Sequence, residues 1–129
     1  MDKKSHCSCS PKPVLWCRPL LRVRQAQALE ATFKMLADAT RLRMLHALVR
    51  AGELGVTELA DTLDMRPQAI SNQLQRLADR GIVAARRHGV QMRYSIIDPC
   101  VPVLLHHGWC LAEDAQTRTF DRTIADMAS

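Results

Sequence analysis

The sequence predicts a mainly α-helical domain closed by a small β-hairpin, and three observations predict it. Apolar residues recur at helical spacing through most of residues 20–80. The period changes to short extended runs on either side of His88-Gly89-Val90. A helical period then returns after Asp98-Pro99. The chain has 129 residues, enough for one domain and too few for two. Hydrophobic residues make up 47% and aromatic residues 4%, so the core must be aliphatic.

Residues 1–19 hold lysines, serines, three cysteines and three prolines without period, and are expected to form a flexible basic arm. From Leu20 to Ala37 the positions Ala28, Leu29, Phe33, Leu36 and Ala37 mark a first helix, with no Gly or Pro after Pro19. Asp38 and Thr40 offer caps for a second helix carrying Leu42, Leu45, Leu48 and Val49, ended by Gly52. Thr57 is the expected cap of a short third helix, Glu58–Leu63, with Leu59, Ala60 and Leu63 inward. Asp64-Met65-Arg66 makes a tight connection, and Pro67 opens a fourth helix that runs to Arg80 and stops at Gly81. Strands over Ile82–Arg87 and Gln91–Ile97 flank the glycine turn as a hairpin. Asp98 and Pro99 restart a helix expected to reach Leu111 or Glu113, with Gly108 as its weak point. This divides the chain into an arm (1–19), a domain (20–114) and a C-terminal tail (115–129).

Charge narrows the partners. The formal net charge is +5 and the sequence pI is about 9.3, which favours a polyanion. The excess is local, because residues 1–24 alone carry six basic side chains against Asp2. A basic arm by itself does not establish nucleic-acid binding. No uncharged apolar run approaches the ~20 residues that span a bilayer, and Arg18 and Pro19 interrupt the one apolar stretch near the N-terminus. The expectation is a cytoplasmic protein without membrane contact. Five cysteines are then expected as thiols or metal ligands rather than as a disulfide framework. Cys-x-x-Cys, a Gly-rich phosphate loop, His-Glu-x-x-His and a nucleophile elbow are all missing from the sequence, so no enzymatic activity is expected.

Two short helices joined by three residues and followed by a hairpin are what a winged helix–turn–helix requires. On the second of them Ile70, Leu74 and Leu77 share one face, and Gln68, Ser71, Asn72 and Gln75 share the opposite one. A merely solvated helix would carry Glu and Lys there. Short amides and a hydroxyl instead pair with base edges and phosphates of double-stranded DNA. Around the hairpin turn, Arg86, Arg87, His88 and Arg93 suit phosphate or minor-groove contact.

Leu36-Ala37-Asp38-Ala39-Thr40-Arg41-Leu42-Arg43-Met44-Leu45 resembles the opening signature of the arsenic-repressor-type (ArsR/SmtB) family of metal-sensing repressors. Thr57-Glu58-Leu59-Ala60, Ile70-Ser71-Asn72-Gln73-Leu74 and the Arg86-Arg87-x-Gly89 wing with Tyr94 are similar to it as well, so the likeness covers about residues 27–113. It implies a homodimer paired through first and last helices that represses an operator and leaves it when metal binds. One group in this family places two cysteines in the third helix. Here Glu53-Leu54-Gly55-Val56-Thr57-Glu58-Leu59 has neither. Another group binds metal on the last helix through Asp-x-His and, about ten residues further on, His-x-x-Glu or His-x-x-His. Here Asp98-Pro99-Cys100 is followed by nine residues and Cys110-Leu111-Ala112-Glu113, with Cys in place of His.

Ten residues of helix separate Cys100 from Cys110 by ~15 Å, too far for one ion within one chain. Two such helices antiparallel across a dimer axis would bring Cys100 of one copy near Cys110 of the other. Asp98, Glu113 and His106 are weaker candidate ligands beside them. Thiolates shift the preference from Zn²⁺ toward Hg²⁺, Cd²⁺, Pb²⁺ or As(III). Cys7, Cys9 and Cys17 form a second candidate set on the arm. A thiol redox sensor on the same scaffold is the alternative reading of the same cysteines.

Overall fold

The computed structural model describes residues 12–128. The elements in chain order are α1 (Val23–Leu36), α2 (Ala39–Ala51), β1 (Leu54–Gly55), α3 (Val56–Leu63), α4 (Pro67–Asp79), β2 (Val83–His88), β3 (Gln91–Ile96) and α5 (Cys100–Ala128). Within the expected arm, Leu15–Cys17 forms a single 3-10 turn, closed by Cys17 N–H donating to the Val14 carbonyl at 3.0 Å.

Local chemistry sets most of these boundaries. The Asp38 carboxylate accepts from the Arg41 backbone N–H at 3.0 Å and caps α2, and Gly52, at φ 86°, ends it. The face of α2 differs from expectation. Leu42 and Val49 are 38% and 44% exposed, whereas Met44 is fully buried with Leu45 and Leu48. The inward stripe therefore runs Arg41, Met44, Leu45, Leu48, one step round the helix from the stripe built on Leu42 and Val49. At α3 the expected cap also moves. The helix begins at Val56, and Glu58 reaches back to accept from the Gly55 N–H at 3.1 Å, so Thr57 lies inside the first turn. Asp64 then turns the chain in the left-handed region at φ 54°, and Pro67 opens α4.

The hairpin forms as expected, with Val83 opposite Ile96 and His88 opposite Gln91. A third strand was not expected. β1 pairs with β3 through Leu54–Tyr94 and Gly55–Arg93, giving the order β1-β3-β2. Two residues carry no readable alternation, which is why the sequence does not announce this strand. α5 also departs from expectation. Asp98 caps it by accepting from the Cys100 N–H at 2.8 Å, and the helix runs unbroken for 29 residues through Gly108 to Ala128. One interior glycine costs about 1 kcal/mol, too little to stop a run otherwise rich in helix formers. Residues 115–128 are helical and continue α5.

The core is aliphatic, as composition requires. Met44, Leu45, Leu48, Leu59, Ile70, Leu74 and Leu77 are at most 1% exposed and join α2, α3 and α4. Of α5 only Val101 is buried. Leu29 and Phe33 on α1, and Trp109, Leu111 and Phe120 on α5, stay exposed. The two outer helices thus present apolar surface that the single chain does not cover.

Leu45→Ala and Leu42→Ala test the corrected face of α2. The first is expected to cost ~2–5 kcal/mol by creating a core cavity. The second is expected to stay within about 0.5 kcal/mol of wild type, as partly exposed positions do. Urea unfolding with an unchanged slope reads both.

Candidate nucleic-acid interface and thiol site

α4 owes its two faces to its packing. Ile70, Leu74 and Leu77 are fully buried, which turns Gln68, Asn72 and Gln75 outward with Ser71 half-buried beside them. The structure therefore gathers all four expected reading residues on one side. Gln68 Nε2 donates to Asn72 Oδ1 at 3.0 Å, and Gln75 Nε2 donates to Asp79 Oδ1 at 2.9 Å. Both are exposed pairs four residues apart. Such amides can exchange these partners for base edges at little net cost, because each exposed hydrogen bond already competes with water.

Behind α4, Arg41 ties three elements together. Its Nε donates to the Met35 carbonyl at 2.7 Å near the end of α1, and its Nη1 donates to Gln73 Oε1 at 3.1 Å on α4. Asp38 lies 4.0 Å from the same Nη1. The end of α1, the start of α2 and the middle of α4 thus share one guanidinium.

The hairpin divides its basic residues into two sets. Arg87 and His88 are exposed near the tip. Arg86, itself exposed, and the half-buried Arg93 are each paired with acids. Arg86 Nη2 donates to Glu53 Oε1 at 2.7 Å. Arg93 donates from Nε to the same oxygen at 3.0 Å, from Nη1 to Glu58 Oε1 at 2.8 Å, and from Nη2 to the Glu53 carbonyl at 3.2 Å. Arg93 is a positioning residue that fastens β3 to α3 and to the segment before β1. The hydrogen bond from Arg86 does most to hold the Glu53 carboxyl below the ordinary carboxylate range, aided by the charges of Arg86 and Arg93. Sequence reasoning missed Glu53, Glu58 and Gln73. Their partners lie more than 30 residues away in the chain, and no local pattern reports that distance.

On α5, Cys110 is a free, half-buried thiol with Sγ 3.8 Å from His106 Nε2. His107 stacks obliquely on His106 with ring centroids 5.5 Å apart. Glu113 is exposed one turn further on. Asp98 spends one carboxylate oxygen on the helix cap. Cys100 is in a disulfide rather than a free thiol. It lies ten residues from Cys110 on one continuous helix, so the structure does not bring the two together within the chain. Cys17 is free and exposed; Cys7 and Cys9 lie outside the described residues. Among the described residues no three His, Cys, Asp or Glu side chains converge as a metal site. The donor pair Cys110–His106 suits a soft or borderline cation. It supplies two ligands per copy and needs more from elsewhere.

Comparison with known proteins places this geometry. A helix-turn-helix domain model matches residues 36–86. The chain is 40% identical over 82 residues to a probable mercury resistance operon repressor of Streptomyces lividans, a match covering 64% of this chain and 65% of that protein. It thus spans less than two thirds of that repressor, as it does of other curated relatives. Among solved structures, that of the AntR antimony-specific transcriptional repressor is 52% identical with a TM-score of 0.70, covering 85% of this chain and 99% of that one. The homodimeric winged helix-turn-helix DNA-binding domain of a possible ArsR-family regulator from Mycobacterium bovis is 29% identical with a TM-score of 0.62, covering 75% and 92%.

The wing clasp gives a signed pH dependence. Pairing lowers the folded-state pKa of Glu53, so its contribution is present above the unfolded pKa and is lost as pH falls through the folded one. Amide exchange of β1 and β3 is expected to accelerate, relative to the helical core, as pH drops through that window. In Glu53→Gln the clasp is weakened at every pH, and this pH-dependent step is expected to vanish.

Proposed function

The chain belongs to the ArsR/SmtB family of winged helix–turn–helix regulators, and we propose that it is a metal-responsive transcriptional repressor rather than an enzyme. In this reading two copies pair through α1 and α5. The exposed Leu29, Phe33, Trp109 and Leu111 support that pairing, as does the homodimeric state of the mycobacterial relative. Two-fold symmetry then matches a palindromic operator. α4 reads bases with Gln68, Ser71, Asn72 and Gln75, while Arg87 and His88 contact backbone from the wing. Arg86 and Arg93 hold the wing in place.

The observation that carries the metal half is the free Cys110 thiol beside His106 on the uncovered face of α5. The effector is a soft thiophilic ion, Hg²⁺, Cd²⁺, Pb²⁺ or As(III), with Zn²⁺ less favoured. The relatives named for mercury and antimony support that class. Cys110 and His106 would hold the ion with Glu113 near them, and Cys100, once reduced, completes the set across the dimer. Cys7, Cys9 and Cys17 are the alternative donors. The disulfide at Cys100 favours one second reading, thiol redox sensing. There two thiols give two electrons and two protons to a peroxide, forming a disulfide and two waters.

Three measurements test this function. Gln75→Ala and Asn72→Ala are each expected to change base preference by ~1–3 kcal/mol for every base pair no longer read; unchanged affinity and selectivity in both would remove α4 as the reader. Arg87→Ala is expected to weaken every duplex alike and to flatten the salt dependence by about one unit. In metal-titrated, reduced protein, Cys110→Ser is expected to keep DNA binding and lose metal-induced release together with thiolate charge-transfer absorbance. Binding should release protons and strengthen as pH rises. Release by peroxide with metal removed would favour the redox reading instead.

A further inference from the structure

One face of α2 carries cations that neither the reading helix nor the wing uses. Arg43, His46 and Arg50 are all exposed and line an open groove of about 540 Å³ between α2 and α3, floored by Ala47, Leu54 and Leu63. α2 contains no acidic residue. Among the described residues none of these three side chains has a hydrogen bond or ion pair. Of the acids that adjoin the groove in sequence, Glu53 is bound by Arg86 and Arg93, and Asp61 and Asp64, beside Thr62 and Leu63, are exposed. Asp61 and Asp64 on α3 and at its end do not line it.

We propose that this groove is a second nucleic-acid contact, which holds phosphodiester backbone flanking the segment read by α4 and the wing. The proposal rests on the DNA-binding reading above. Two guanidiniums are the side chains best matched to phosphate oxygens, which they bind through paired N–H donors. Arg43 and Arg50 are seven residues apart, ~10.5 Å along the helix axis. Measured along a duplex axis, that separation equals about three steps of ~3.4 Å rise. His46 adds an N–H donor between them, whether or not it is charged. The groove is open, so a continuous polymer can lie through it. Its wall α3 is the first helix of the helix–turn–helix unit, so the groove belongs to the body that α4 places on DNA.

Random-sequence duplexes supply the test, since backbone contact needs no operator. Full-length protein is titrated by fluorescence anisotropy, over a salt series, with a duplex of about two helical turns and one of about four. On the longer duplex, Arg43→Ala/Arg50→Ala is expected to reduce the slope of log K against log salt by about 0.9 for each phosphate no longer neutralised, close to two units per copy. On the shorter duplex the slope is expected to match wild type. Arg43→Lys/Arg50→Lys restores most of the slope, and Arg118→Ala on α5 leaves it unchanged. Arg50→Gln alone, in the last turn of α2, lowers it by about half as much and guards against a folding defect in the double variant. Equal slopes for wild type and the alanine double variant on the longer duplex would overturn the assignment and leave the groove to an acidic protein. Failure of the lysine variant to restore the slope would overturn it too, by making the arginines structural. Were wild type to bind neither duplex, the repressor reading itself would fall. Binding by wild type with an unaltered variant slope sinks this groove alone.

Discussion

The burial of Ile70, Leu74 and Leu77 is the constraint on which the rest of this structure depends. With these three side chains fully enclosed, α4 cannot rotate about its axis without opening the core. That single constraint fixes which amides face outward. It also aims Gln73 at Arg41 and starts β2 where Ile82 and Val83 enter the same core. Burying a side chain of this kind contributes ~1.5–3 kcal/mol, more than any exposed hydrogen bond on the opposite face. The reading face is therefore defined by what lies behind it. Its own contacts, Gln68 to Asn72 and Gln75 to Asp79, are weak enough to be given up.

From that anchored helix the contacts run in two directions. Toward the wing, Glu53 and Glu58 gather Arg86 and Arg93, so the hairpin is held at its base and left free at Arg87 and His88. Toward α1, Arg41 joins the Met35 carbonyl to Gln73. In the proposed switch, an effector on α5 would alter DNA affinity only by preferring one arrangement of the two copies over another. α1 and α5 are the helices with uncovered apolar faces, and Arg41 connects the end of α1 to the reading helix by two hydrogen bonds of 2.7 and 3.1 Å. A change in how α1 packs is thus mechanically continuous with the orientation of α4.

Much of this was legible in the sequence because its signals are local. Asp38, Gly52, Pro67, Gly81 and Asp98 each act within four residues of where they stand, and each marks a boundary the structure keeps within a residue or two. The face of α4 was legible for the same reason, since a stripe of three aliphatic residues and a stripe of amides share one period. What was not legible depends on distance. Arg93 has the composition of a DNA contact, yet acids 35 and 40 residues away bind it. β1 exists only because β3 offers it an edge. The stripe on α2 departs from expectation at Leu42 and Val49 because its apolar arc, opposite Arg43, His46 and Arg50, is wider than the face its neighbours bury. Much the same holds for α5. Its apolar residues do not select one face of the monomer, and Trp109, Leu111 and Phe120 stay exposed along it.

The thiol chemistry joins these two scales. Cys110 and His106 are placed by a single helical turn, and that pairing is as local as a cap. Two donors do not make a strong site for a soft ion, so the proposed site would need further ligands, either Cys100, which helix geometry keeps ~15 Å away within the chain, or the cysteines before α1. Cys100 can serve only as a thiolate, and in a disulfide it offers none. If Cys100 is a ligand, as proposed, metal and oxidant would compete for the same sulfur: the reduced form would have a ligand to give, and the oxidised form would have lost it. The proposed repressor would then respond to metal only where its thiols stay reduced. On that proposal the metal and redox readings would be two states of one residue, coupled through its proton and electron count.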